Sequence, residues 1–141
     1  MSIRRILLGP EIYWGFVYLI VSLVASRNVP PTESFSASLE SLWYAVPVFG
    51  IPLSFVFVAI HRQRRGWLLA RTNLACLIGL FFTALRVTNA IDYQDSRNSG
   101  VLAGFVISLG LGVIVLVFMN LVAIVFLILA RRKGASSNAD C

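Results

Sequence analysis

Four apolar runs, at about residues 10–25, 42–60, 67–91 and 101–130, are separated by short polar segments. The last is 30 residues long and holds no charged side chain, well past the roughly 20 residues a helix needs to cross a bilayer. Inside a bilayer no water satisfies backbone polar groups, so only helices and closed barrels cross it, and runs this long and continuous are helical. The expected fold is all-α: an integral membrane four-helix bundle. Composition agrees, since 58% of the residues are hydrophobic and 13% charged, about half the ~25% charged residues of a soluble domain. A chain of 141 residues suffices for one such unit. Residues 1–133 are read as a single four-span domain, and residues 134–141 as a short polar, cytoplasmic tail without regular structure.

Orientation follows from charge. The N-terminal segment (Arg4, Arg5), the second connection (Arg62, Arg64, Arg65) and the tail (Arg131, Arg132, Lys133) together hold eight basic residues. The first and third connections hold two, Arg27 and Arg97, beside the acids Glu33, Glu40, Asp92 and Asp95. Four crossings group the segments in this same way, so span count and charge agree. The positive-inside rule then puts both termini in the cytoplasm. The expected location is a bacterial cytoplasmic (inner) membrane. The first run resembles a secretory signal in its order of Arg4-Arg5, apolar stretch and Leu23-Val24-Ala25-Ser26, and is read as a retained first helix. Trp14, Trp43, Trp67, Tyr44 and Tyr93 fall near span ends, where amphipathic rings favour the interface. Pro30-Pro31 breaks any helix, and a short helix on the outer surface is expected from about Thr32.

The net charge of +6 does not point to nucleic acid, because the basic residues sit in clusters at run boundaries. The two cysteines form no Cys-x-x-Cys, and one histidine, His61, cannot build a histidine-based metal site. No nucleophile–base or paired-carboxylate constellation exists. No catalytic residue, metal or cofactor is therefore expected, and a non-catalytic protein is favoured over a membrane-embedded enzyme acting on lipid or quinone, which is kept as the third reading.

Helical periodicity says which faces pack inward. On the third span Arg71, Thr72, Ala75, Cys76, Gly79, Thr83, Arg86, Asn89 and Ala90 share one arc, with large apolar residues on the rest. In lipid, small and polar residues gather between helices, so this span is expected at the centre. On the fourth span Gly100, Gly104, Ser108 and Gly112 recur every four residues, a spacing that lets two backbones approach closely, within the chain or between copies. The second span holds Pro47, Gly50 and Pro52. Each proline lacks a donor and crowds the carbonyl four residues back, so the helix is expected to be perturbed there, as a plain kink in the favoured reading or as a helix break in the other, with the carbonyls of Trp43 and Val48 the candidates for freed acceptors.

Three charges lie within the runs. Arg86 is about six residues inside the third span, and its Cα–Cβ bond tilts toward the bilayer centre. Either Arg86 is paired, with Glu40, Asp95 or a freed carbonyl of the second span as the expected partner and Asn89 one turn away, or it snorkels to the surface and only anchors the helix. Glu11 and Arg71 lie near the inner surface on different spans, where three arrangements are open: the two pair, Glu11 meets the basic second connection, or Arg71 reaches the cytoplasmic surface and is solvated. Asn73 and Asn120 are read as helix–helix hydrogen bonds. The leading function is a non-catalytic membrane protein that works by helix–helix association, as accessory subunit, assembly factor or scaffold. Its expected partners are the lipid bilayer and a membrane protein or a second copy. The alternative is a small oligomeric transporter or channel with Arg86 and Asn89 along a polar path.

Overall fold

The computed structural model describes residues 9–28, 32–60, 65–91 and 99–137. Arg4, Arg5, Arg62, Arg64, Asp92, Tyr93, Asp95 and Arg97 lie outside them, as do the side chains of Glu33, Arg65, Arg131, Arg132 and Lys133. The elements are α1 (Pro10–Ser26), α2 (Glu33–Glu40), α3 (Leu42–Ala45), a π turn (Val46–Gly50), α4 (Ile51–Ile60), α5 (Arg65–Ile91) and α6 (Ser99–Ser137). No strand occurs among the described residues.

Only Ser41 separates α2 from α3, and its backbone is itself helical at φ −62° and ψ −24°. Residues 33–60 therefore form one rod. Thr32 does stand at its start in extended geometry, but its side chain makes no capping bond. The expected separate short helix is instead the first part of the second rod. Leu39 and Trp43, one turn apart on the same face, are both buried and hold that part against the bundle. At Pro47, Gly50 and Pro52 the rod is perturbed but not broken. The helix widens into the π turn and continues as α4. Inserting one extra residue into a turn accommodates missing donors and ring crowding without unwinding the rod.

Contacts fix the direction of each rod. Glu11 meets Arg71, Ser22 meets Arg86 and Asn28 meets Ala90, so α1 and α5 run parallel. Asn73 meets Asn120 and Leu80 meets Gly112, so α6 is antiparallel to α5. The second rod pairs Ser54 with Cys76 of α5, and Trp43 and Ile51 with Gly104 and Gly112 of α6. It therefore runs with α6 and against α5. The result is an up-down-up-down bundle in which α5 touches all three other rods. The start of α1 and the end of α6 lie at the same end of it.

Three stretches are long and apolar enough to cross a membrane: Ser34–Val56, Gly66–Ile91 and Gly100–Ala130. The apolar α1 is shorter, at 17 residues, or about 25 Å at the helical rise. At 39 residues, α6 outruns the expected boundary at residue 130 and continues to Ser137. A formed helix propagates without a new nucleation cost, so the polar tail sequence extends it, Gly134 notwithstanding.

Each of the two core clusters is built around a tryptophan. Trp43 packs with Val21, Ala25, Leu39, Val87, Ala90 and Ile91. Trp14 packs with Ile51, Phe55, Ala75, Cys76 and Leu80. Both rings are core residues, at 5% and 3% exposure, and not the interfacial anchors that their positions near span ends suggest. Trp67 and Tyr44 do stay exposed, at 68% and 51%. The glycines explain the difference. Trp14 covers Gly79 and lies against Gly50, where a Cβ would meet its ring at 3.2 Å, and Trp43 covers Gly104. A side chain on Gly79 or Gly104 would occupy the indole's place.

The buried hydroxyl, thiol and amide groups of the bundle are closed on protein partners, whereas the indole Nε1 of Trp14 and of Trp43 is buried without one among the described residues. Thr72 and Thr83, both fully buried, donate to Leu68 and Gly79 of their own helix at 2.8 Å. Ser54 donates to the Ile51 carbonyl at 2.6 Å, which leaves the Cys76 thiol to donate to Ser54 across 3.0 Å. Asn73 and Asn120 exchange two hydrogen bonds, at 2.9 and 2.7 Å, and each gives its second N–H to a carbonyl of its own helix. Asn73→Leu should therefore lower stability by about 1 kcal/mol, a typical loss for an interhelical bond in lipid plus an unpaired amide. The double replacement Asn73→Leu with Asn120→Leu should be nearly neutral, because no amide is left without its partner. Unfolding midpoints in a graded detergent series read both. A loss in the double variant equal to the sum of the Asn73→Leu and Asn120→Leu losses would mean that the pair is not coupled.

Candidate functional site

The sequence-selected charges converge at one place. Glu11, in the first turn of α1, and Arg71, two turns into α5, form an ion pair with Nε donating to Oε1 at 2.8 Å. It is the one ion pair among the described residues. The parallel run of α1 and α5 brings these positions level. The pair closes one end of a groove of about 480 Å³ between the two helices. Ala75 and Gly79 line its floor, and Tyr18, Ile78 and Phe82 its walls. Trp14 forms part of the lining with its edge, while the body of the ring is buried on Gly79. Gly15 opens on the same groove, with nothing within 4 Å of where its Cβ would stand.

Arg86 lies elsewhere on the same helix pair. Its Nε donates to Ser22 Oγ of α1 at 3.0 Å, and the side chain is half-buried. The expected partners differ: Glu40 is exposed and unconnected to it, Asp95 lies outside the described residues, and no second-rod carbonyl receives it. The reason is positional. Arg71, Ala75 and Gly79 follow one another at four-residue steps, with Arg86 two turns further on, along the edge of α5 that faces α1, whereas Cys76 faces the second rod. Asn89 is exposed and takes no part with Arg86. The polar arc of α5 is thus shared between two neighbours and does not line a single path.

The small residues of α6 separate in the same way. Gly104, Ser108 and Gly112 are buried within the chain, and Gly100 is exposed with open space beside it. The expected close approach of two backbones is not what occupies them. Gly104 receives the Trp43 ring, and Gly112 receives a methyl group of Leu80, with Ile51 Cδ1 3.7 Å from its Cβ position. Pro47 and Gly50 are buried and Pro52 half-buried in the second rod. Pro52 borders a second groove, of about 230 Å³, between α4 and α6, with Phe55, Ala59, Met119, Ala123 and Phe126.

Two polar residues matter more than their sequence context suggests. Asn28, 3% exposed, donates to the Ala90 carbonyl at 3.3 Å and to Ser36 Oγ at 3.4 Å, and accepts from the Thr32 N–H at 3.3 Å. It ties the connection after α1 to the last turn of α5, where a carbonyl has no intrahelical donor. Its place between a helix end and Pro30-Pro31 was the available signal. Ser22 had none, because a lone serine on an apolar run reads only as a small residue. No group of three or more His, Cys, Asp or Glu among the described residues is placed to hold a metal ion. No family model, curated protein or solved structure matches the chain.

Proposed function

We propose that the chain is a four-span protein of a bacterial cytoplasmic membrane, with both termini in the cytoplasm, that acts without catalysis by associating with another membrane protein as accessory subunit, assembly factor or scaffold. Up-down-up-down packing supports the topology. It gathers the ends of α1, α4, α5 and α6 that adjoin the basic clusters at one end of the bundle, where the positive-inside rule wants them.

The observation that carries association is the far half of α6. From residue 113 to 130 every side chain is exposed or half-buried, and all but Asn120 are apolar. The groove against α4 sets the short side chains of Ala59 and Ala123 between Phe55 and Phe126, with Met119 beside them. Short side chains admit a helix closely, and methionine adapts to its partner. The Gly104, Ser108 and Gly112 stripe does not contribute, since it is filled from within. Arg86 lines neither groove and is bonded to Ser22, which favours association over a polar transport path.

The test has two arms. In a Cys141-free background, an impermeant thiol reagent should label Ser34→Cys in intact cells and spare Ser137→Cys; the reverse pattern overturns the topology. The tagged chain, purified in mild detergent, should bring down a membrane partner that Ala123→Phe releases and Leu121→Phe, on the other face of α6, retains. A partner held equally by both variants, or none at all, overturns the association reading.

A further inference from the structure

The groove between α1 and α5 is amphipathic along its length, and this is what selects an occupant. One end is the Glu11–Arg71 pair; the rest is apolar and aromatic. From Arg71 to Phe82 is eleven residues, or about 16 Å at the helical rise, which matches one leaflet of a hydrocarbon core roughly 30 Å thick. Its volume of about 480 Å³ belongs with small-molecule sites, roughly 300–1,000 Å³. We propose that it binds one phospholipid of the cytoplasmic leaflet with a zwitterionic, primary-amine headgroup. The inference rests on the membrane reading above.

The chemistry of the charged end fits both halves of such a headgroup. A guanidinium has five N–H donors in a planar fork suited to phosphate. Arg71 gives its Nε–H to Glu11, and its four terminal hydrogens meet no acceptor among the described residues. With α5 rising from the cytoplasmic end, the Cα–Cβ bond of Arg71 tilts toward that surface, where a lipid phosphate lies. Glu11, 46% exposed at its side chain, keeps a carboxylate oxygen for an ammonium. A purely anionic headgroup would satisfy Arg71 but set its charge against Glu11. The acyl chain then lies along Tyr18, Ile78 and Phe82. The missing side chain at Gly15 leaves it room.

The test uses the full chain in nanodiscs of equimolar phosphatidylethanolamine and phosphatidylglycerol with identical acyl chains, released into native mass spectrometry. One phosphatidylethanolamine should stay bound in preference to phosphatidylglycerol. Arg71→Ala should weaken its retention on the order of tenfold or more, as loss of a hydrogen bond to a charged group does. Glu11→Gln should move the preference toward phosphatidylglycerol. Gly15→Leu places a side chain in open space, so it should melt like the wild type and yet lose the lipid. Equal retention of the two lipids, or undiminished retention by Gly15→Leu, overturns the site while leaving the membrane reading intact. Release of the chain from membranes by alkaline carbonate overturns both.

Discussion

Replacing Trp14 with alanine should destabilise the bundle more than any other single truncation, by about 3 kcal/mol, the low end for a buried aromatic. The low end follows from the membrane reading proposed above: lipid is as apolar as the protein interior, so separated helices in a bilayer lose little transfer energy, and what disappears is packing. Trp14 touches α5 at Gly79 and the second rod at Gly50, and is 3% exposed. Its removal therefore opens a cavity where three rods meet. Trp14→Phe separates packing from hydrogen bonding. The indole Nε1 is buried with no acceptor among the described residues, so phenylalanine keeps most of the contact and removes an unsatisfied donor. It should be much milder than alanine. Thermal midpoints in detergent measure both variants, with Leu77→Ile, at an exposed apolar position, as the mild reference. If Trp14→Ala melts with the wild type, the ring is not a keystone.

Periodicity and charge made most of the fold legible. Four apolar runs became four rods, and the small, polar arc of α5 marked the rod that touches all the others. What periodicity reports is a face, and a face does not name its neighbour. Arg86 shows this: the same arc serves α1 and the second rod, and only the parallel register of α1 with α5 sets Ser22 beside it. Glu11 with Arg71 was one of the pairings open to the sequence, because both sit near the ends of their runs that adjoin basic clusters, and the parallel register of α1 with α5 is what selects it. Asn73 lies off the polar arc of α5 because it points to α6, where Asn120 lies level only in an antiparallel pair. Boundaries were harder. Proline marks a perturbed turn but not its remedy, so a π turn and a full break begin from the same residues. The start of the second rod at Glu33 and the end of α6 at Ser137 come from continuation of helices already formed, which local composition understates.

Gly104 carries the second large effect. Gly104→Leu should destabilise the fold by about 3 kcal/mol, at the upper end of what overpacking costs. Its Cβ alone would stand within the Trp43 ring, and that ring is enclosed by Val21, Leu39 and Val87 with no free side to move toward. A small-residue stripe at this spacing has two physical meanings that sequence cannot separate: a seam between backbones, or seats for large side chains. They differ in the response to a second substitution. If Gly104 is the seat of Trp43, Trp43→Ala vacates the space that leucine enters. Gly104→Leu with Trp43→Ala should then be less destabilised than the sum of the single variants, by a coupling of about 1–3 kcal/mol. If Gly104 instead met another copy of the chain, Gly104→Leu would alter the oligomer, and Trp43→Ala would restore nothing. Unfolding midpoints and light-scattering mass, measured on the same four proteins, decide between them. Additive losses with a changed oligomeric mass would show that the glycine serves an interface between chains.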